Sequence, residues 1–117
     1  MLDAKAVRFF EEVLSKTRAG KIRWEPTAIE LNYIAAVGGH FTLSLAEYER
    51  ERRYLGLPSM AHSLALKDQE GRTLTNVTDM DDGIPEADIR ELYETARRQA
   101  LHVDEKIDSL LGELSKL

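Results

Sequence analysis

The sequence predicts a single α+β domain over residues 1–117, with an N-terminal helix, an antiparallel meander of four or five strands, and a long C-terminal helix packed on one sheet face. Three observations predict this fold class. Apolar residues recur at helical spacing near both ends of the chain. Between these ends, apolar and polar residues alternate as they do in strands, and glycine-containing turns separate the alternating segments.

Composition narrows the classes of function. The chain has 117 residues, a net charge of −5 and no cysteine. The negative charge disfavours non-specific binding to nucleic acid or to an anionic membrane surface. The lack of thiols excludes disulfides, cysteine catalysis and thiolate metal centres. Because the N-terminus lacks a signal-peptide layout and no apolar run approaches the ~18 residues of a membrane span, we expect a soluble, cytoplasmic protein without membrane contact.

Residues 3–19 are predicted to form the first helix. Asp3 is a suitable N-cap, since its carboxylate can accept a free backbone N–H of the first turn. Lys16 and Arg18 suit the negative end of the helix dipole, and Gly20 provides a left-handed stop. One helix face collects the apolar residues Ala6, Phe9 or Phe10, Val13 and Leu14.

Polar and apolar side chains alternate in residues 21–25, and Pro26 ends the pattern. This indicates a short edge strand or an extended linker. A hairpin follows, with alternating runs at 29–37 and 41–46. A two-residue turn between these runs would place their apolar side chains on opposite sheet faces, whereas a three-residue loop keeps them on one face. The longer loop, Gly38-Gly39-His40, is therefore favoured. It predicts the pairs Val37–Phe41, Ala35–Leu43 and Tyr33–Leu45.

Residues 47–58 contain three glutamates and three arginines, which cancel in charge. They are predicted to form a solvated loop or the frayed tip of a long hairpin. The alternative is a partner-binding arm built on Tyr48, Tyr54, Leu55 and Leu57. A second hairpin is predicted from strands at 60–67 and 72–77, joined by the turn residues 68–71.

The most regular pattern lies in residues 85–117. Its apolar spacings alternate between four and three, the heptad signature of a helix with one continuous buried stripe. Pro85 suits a first helical position. A straight helix from 85 to 116 would be about 48 Å long, whereas a compact body of this size has a radius of gyration of about 13 Å. The stripe comprises Ile89, Tyr93, Ala96, Ala100, Val103, Ile107, Leu110, Leu114 and Leu117.

The distal part of this helix predicts an interface. A straight helix would overhang the body, so another copy, a partner or the first helix must cover its apolar residues. A bend near 102–104, with Asp104 capping a second segment, is the alternative. The arginines lie mainly in the first half of the helix and the carboxylates mainly in the second. In an antiparallel helix pair the basic half of one helix would face the acidic half of the other, and a solvated face explains the charges equally well. We expect homodimerisation or docking of a protein partner through Ile107, Leu110, Leu111, Leu114 and Leu117.

The sequence contains no motif for a catalytic, cofactor or metal site. His40, His62 and His102 fall on a turn, a strand and a helix, without metal-ligand spacing. Neither a G-x-S-x-G elbow nor a glycine-rich phosphate loop occurs. The expected function is therefore a non-enzymatic interaction or adaptor module.

One cluster of cations supports a different function. Lys16, Arg18, Lys21 and Arg23 precede Trp24, and four cations beside an aromatic side chain can contact a phosphate backbone or an acidic partner. Helix C-terminal charges on a solvated corner explain these residues equally well. A nucleic-acid-binding or anion-binding regulator is thus the alternative hypothesis.

Two stretches, GKIRWEPT at 20–27 and LYETARRQALHVDEKIDSLL at 92–111, resemble a group of small uncharacterised bacterial proteins. That group shows the patterns GKLxW, a DExG turn and LYExARRxALxVDExIDxLL. The resemblance covers most of the chain and implies a bacterial, cytoplasmic protein. It implies no activity, cofactor or catalytic residue.

Overall fold

The computed structural model describes residues 3–54 and 57–117, with side chains for 3–49 and 60–117. Its architecture is the predicted α+β fold, with one helix before a five-stranded antiparallel sheet and two helices after it. The elements in chain order are α1 (Ala4–Arg18), β1 (Glu25–Pro26), β2 (Asn32–Val37), β3 (Phe41–Tyr54), β4 (Leu57–Lys67), β5 (Thr73–Thr78), α2 (Glu86–Ala100) and α3 (Val103–Leu114).

The sheet is a meander in which each strand pairs with its neighbours in chain order. The core forms where α1 and α2 cover one sheet face. In β3, Leu43 and Leu45 are buried while Ser44 between them is half-buried, so the period-two pattern sets which face carries the helices. The helices and the sheet contribute the buried side chains Phe10, Leu14, Leu64, Val77, Ile89, Leu92, Tyr93 and Ala96.

Helix α1 begins and ends as predicted. The Asp3 carboxylate accepts a 2.7 Å hydrogen bond from the backbone N–H of Ala6, and Gly20 has a φ of +72° just beyond the helix. Phe10 is the core residue of the two adjacent phenylalanines, at 1% exposure, while Phe9 is half-buried at the edge of the core.

The first hairpin has the predicted three-residue loop. Val37 pairs with Phe41, and the strands continue in the register expected from the apolar pattern. Strand β2 begins at Asn32 rather than at residue 29, because Leu31 has a positive φ of 69° and the Asn32 N–H bonds to the Ile29 carbonyl in a turn. The two other predicted pairs, Ala35–Leu43 and Tyr33–Leu45, are also confirmed.

Of the two structures predicted for residues 47–58, the long hairpin is confirmed and the solvated loop is wrong, since residues 47–54 and 57–58 lie in strands β3 and β4. Strands β3 and β4 pair from the core outward as one long hairpin, with Arg50 opposite Ser59 and Tyr54 opposite Leu57. The ladder consists of backbone hydrogen bonds, so charged side chains are compatible with it, and its register shifts between Arg50 and Arg53. Of the predicted partner-binding arm, Tyr48 is 41% exposed, whereas the side chains of Tyr54, Leu55 and Leu57 lie outside the described residues.

The C-terminal helix is two helices rather than one continuous helix. Helix α2 begins after Pro85, which is its N-cap and not its first residue, and the chain then breaks at His102, whose φ of 53° and ψ of 44° are left-handed. His102, and not Asp104, is the N-cap of α3. A bond of 3.0 Å from the Leu101 N–H to the Arg97 carbonyl closes the last turn of α2. The alternative of a bend near 102–104 is therefore confirmed, although its cap is His102, and the single long helix is wrong. The apolar spacing continues unchanged across the bend, so it could not decide between the two.

Candidate functional site

Helix α3 turns its apolar side to solvent. All of its residues lie in the described part of the chain, and none of them is buried. Helix α2, by contrast, buries Ile89, Leu92, Tyr93, Ala96 and Ala100. The predicted stripe is therefore core in α2 and surface in α3. We call the following five residues the α3 stripe: Ile107 (45% exposed), Leu110 (56%), Leu111 (57%), Leu114 (50%) and Leu117 (101%).

Helix α3 is also acidic. Its carboxylates outnumber its single ammonium group, that of Lys106, four to one, which gives the helix a net charge of −3. Carboxylates in the first turn favour the helix because they face the positive end of its dipole. The helix is thus an acidic amphipathic element with an uncovered apolar side. Its carboxylates belong to Asp104, Glu105, Asp108 and Glu113.

The arginines of α2 are paired within the chain. The sequence had suggested that this basic half could face the acidic half of a second copy in an antiparallel helix pair. In the structure each of these guanidinium groups already contacts a carboxylate of its own chain. The pairs are Arg90–Glu86 at 3.1 Å, Arg97–Glu94 at 3.0 Å, and Arg98–Asp104 across the bend.

The structure separates Arg18 and Trp24 from the other three residues of the predicted cationic patch. The guanidinium of Arg18 donates two hydrogen bonds of 2.6 Å to the carboxylate of Glu91 on α2, and this contact lowers the pKa of Glu91. The Trp24 side chain is buried, and its indole N–H donates a 3.1 Å hydrogen bond to the hydroxyl of Thr17. Arg18 therefore joins the two helices, and Trp24 is a core residue.

The three remaining cations of the patch lie together on a groove. Lys16, Lys21 and Arg23 line an open depression of about 610 Å³ between α1, the segment before β1 and the end of the first hairpin. We call it the α1–β2 groove. Its lining is otherwise largely apolar, with Glu12 as its one acidic side chain. The apolar side chains are Phe9, Val13, Ile22, Ala36, Val37 and Leu43.

A second cleft connects this region to the start of α3. The cleft has a volume of about 910 Å³ and is lined by Trp24 on one side and by His102 and Lys106 on the other. Ile22 and Arg23 line both the cleft and the α1–β2 groove. This cleft therefore separates the first turn of α3 from the α1–β2 groove of the same chain.

A buried polar cluster lies between α2 and the sheet. His62 is 4% exposed, and its Nε2 lies 2.9 Å from a carboxylate oxygen of Glu47. The Tyr93 ring contacts both His62 and Tyr33, and its hydroxyl donates a 2.9 Å hydrogen bond to the Leu31 carbonyl. Burial raises the pKa of Tyr93. The pairing of Glu47 with His62 was not predicted, although the alternation of β3 and β4 places both residues on the helix-facing side of the sheet.

The other histidines lie at the surface and contact polar side chains. His40 Nδ1 is 3.4 Å from the Gln69 amide oxygen, and His102 Nδ1 is 3.4 Å from the Glu105 carboxylate. Within residues 3–54 and 57–117, no three side chains of the histidine, aspartate or glutamate type are arranged to hold a metal ion.

No protein-family model, curated protein or solved structure matches the chain. In the segments that the structure describes, no helix combines the length and apolarity that crossing a bilayer requires. The candidate functional surfaces therefore follow from the geometry of this chain alone. They are the α3 stripe and the α1–β2 groove.

Proposed function

We propose that the protein is a non-enzymatic interaction module that forms a homodimer through helix α3. One observation carries this proposal: the α3 stripe is exposed along its whole length, in a helix with no buried residue among those described. Helices α1 and α2, by contrast, each bury an apolar face in the core. Large apolar side chains are also exposed elsewhere in the described residues, for example Leu74 and Met80, but α3 is the helix whose apolar face has no buried member. Helix α3 stands apart from that core.

A helix of this kind needs a partner to be stable. Isolated helices shorter than ~12–15 residues are marginal in water, and helices in proteins gain most of their stability by packing an apolar face. Helix α3 has 12 residues. Full burial of one leucine or isoleucine contributes about 1.5–3 kcal/mol, so covering the exposed half of each stripe side chain stabilises an assembly by about 1 kcal/mol per residue.

The residues exposed on the surface support a binding function better than a catalytic one. His62 is the histidine with a carboxylate within 3 Å, but its side chain is 5% exposed and its ring packs against the Tyr93 ring of α2. A general base must come within hydrogen-bond reach of the proton that it removes. His62 and Glu47 therefore support a structural role in the core.

An anion-binding function has weaker support. Arg18 pairs with Glu91 and Trp24 is buried, so three of the five patch residues remain available to an anion: Lys16, Lys21 and Arg23. The chain is also acidic overall, with a net charge of −5. Binding of nucleic acid would appear as a mobility shift at low ionic strength that weakens steeply with added salt.

The test of self-association is sedimentation equilibrium over a range of protein concentrations. We expect the wild type to be a dimer at high concentration, and Leu110→Glu and Leu114→Glu each to be monomeric, because a carboxylate would enter the covered face. Leu74→Glu is the matched control, since Leu74 is 52% exposed on β5, comparable to Leu110. A monomeric wild type at all concentrations, or a Leu110→Glu variant that still dimerises, would refute the proposal.

A further inference from the structure

The α1–β2 groove has an apolar floor and a basic rim. Val37 is 41% exposed in the groove, and Phe9 and Ile22 are half-buried there. In the described part of the chain, the ammonium groups of Lys16 and Lys21 form no ion pair, and Arg23 is 3.9 Å from Glu25 with its side chain 92% exposed. With Glu12 as the one carboxylate, three cations give the groove lining a net charge of +2.

Helix α3 has the complementary properties. It presents an apolar side and a net charge of −3, whereas the groove presents an apolar floor and a net charge of +2. Amphipathic helices bind such grooves through apolar anchors spaced three and four residues apart. The α3 stripe provides these anchors at Ile107, Leu110, Leu111 and Leu114.

We propose that the α1–β2 groove of one copy binds helix α3 of a second copy, and that the exchange is reciprocal. This inference rests on the proposed self-association and identifies the surface that α3 contacts. A reciprocal contact is closed by a two-fold axis, so it yields a dimer and not a filament. It also seats two helices in two grooves, which brings the buried area closer to the ~800 Å² per partner typical of stable complexes.

Two other arrangements of the dimer are electrostatically less favourable. A seam between two α3 helices would bring together two elements of net charge −3 each. Like charges opposed across an interface are destabilising. A seam between α3 and the exposed side of α2 lacks free cations, because the arginines of α2 already pair within the chain. The groove offers Lys16 and Lys21 without such partners.

Charge exchange between two variants tests this arrangement. Variant G carries Lys21→Glu and Arg23→Glu in the groove, and variant H carries Asp108→Lys and Glu113→Lys on α3. These positions avoid the Arg98–Asp104 pair and the C-terminal turn of α1. We expect each variant alone to dimerise at least about tenfold more weakly than wild type, because like charges then face each other.

An equimolar mixture of G and H is expected to recover wild-type affinity. In the mixed dimer the acidic groove of G meets the basic α3 of H, and the wild-type groove of H meets the wild-type α3 of G. Lys5→Glu with Arg8→Glu is the control, since it reverses two exposed cations elsewhere on α1 and should leave dimerisation unchanged. Circular dichroism and Trp24 fluorescence establish that every variant is folded.

The groove assignment fails if G dimerises like wild type, or if the mixture of G and H does not recover affinity. These failures are separable from failure of the proposed function. If Leu110→Glu is monomeric while G is a wild-type dimer, α3 mediates self-association through a surface other than the groove. If the wild type itself is monomeric, both proposals are wrong.

Disulfide trapping gives an independent test, because the chain has no native cysteine. Leu111→Cys places a thiol on the α3 stripe, and Val37→Cys places one in the groove. Oxidation of a mixture of the two single variants should give a covalent heterodimer. Covalent dimers from Leu111→Cys alone would indicate an α3–α3 seam, and a crosslinked monomer from the double variant would place α3 in its own groove. Either result overturns the proposal.

Discussion

The indole N–H of Trp24 donates a hydrogen bond of 3.1 Å to the side-chain hydroxyl of Thr17, and both residues are buried, at 3% and 0% exposure. The backbone carbonyl of Thr17 also accepts a 3.1 Å hydrogen bond from the side-chain amide of Gln99 on α2. Thr17 thus connects α1 with the segment before β1 and with α2. This connection withdraws Trp24 from the surface and leaves Lys21 and Arg23 beside it on the rim of the groove.

Thr17→Val should lower the free energy of unfolding by about 1–3 kcal/mol, because it leaves a buried indole N–H without an acceptor. Thr17→Ser keeps the hydroxyl and should cost less. Urea unfolding followed by the fluorescence of Trp24, the single tryptophan, measures both changes at one fixed protein concentration. Equal losses for the two variants would show that the hydrogen bond contributes little.

Tyr93→Phe should lower the free energy of unfolding by about 1 kcal/mol at neutral pH, since the hydroxyl donor to the Leu31 carbonyl is lost. The pKa of Tyr93 is raised in the folded state, chiefly by burial and then by the nearby Glu47 and Tyr33. Its contribution to stability is therefore present below the ordinary tyrosine pKa of about 10 and is lost as the pH rises above it.

The difference in stability between wild type and Tyr93→Phe should accordingly shrink between neutral pH and about pH 11. Urea unfolding at both pH values measures it, and other titrating groups cancel because both proteins carry them. Tyr48→Phe, at a tyrosine that is 41% exposed, is the control and should follow the wild type. A difference that stays constant with pH would contradict the assignment to Tyr93.

Gly83→Ala should destabilise the fold by about 1–2 kcal/mol, because a side chain is unfavourable in the left-handed region. Gly83 has a φ of +86°, and an added Cβ would lie 3.1 Å from the Val7 side chain. Gly112→Ala should instead stabilise α3 by about 0.5–1 kcal/mol, since Gly112 lies within the helix and its Cβ would meet open space. Urea unfolding and far-ultraviolet circular dichroism measure the two effects. Changes of the same sign would contradict the structural distinction.

Arg18→Gln should reduce the loss of stability on acidification. The hydrogen bond from Arg18 lowers the pKa of Glu91 in the folded state, so this pair contributes stability above the ordinary glutamate pKa and loses it as the pH falls through the lowered value. Comparing midpoint temperatures of Arg18→Gln and wild type from neutral pH down to about pH 3 measures the effect. Both side chains are substantially exposed, so added salt should weaken it. Parallel pH profiles would indicate that the contact does not contribute.

Interactions between residues close in the chain, together with short-range periodicity, were enough to predict much of the fold. The capping of α1 by Asp3 and its stop at Gly20 depend on neighbouring residues alone. The three-residue hairpin loop follows because a shift by one residue would move every apolar side chain to the other sheet face. The apolar spacing of α2 and α3 also showed correctly that both segments are helical.

The tertiary structure decided what those patterns leave open. The apolar stripe is the same in the sequence on both sides of His102, but its α2 half packs on the sheet and its α3 half does not. Likewise, Lys21 and Val37 become neighbours in one groove only because the first hairpin folds beside α1. Local conformational propensity and the spacing of apolar residues determine which segments are helices and strands. Which apolar faces remain uncovered depends on contacts between residues far apart in the chain, and a single sequence carries no direct signal of those contacts.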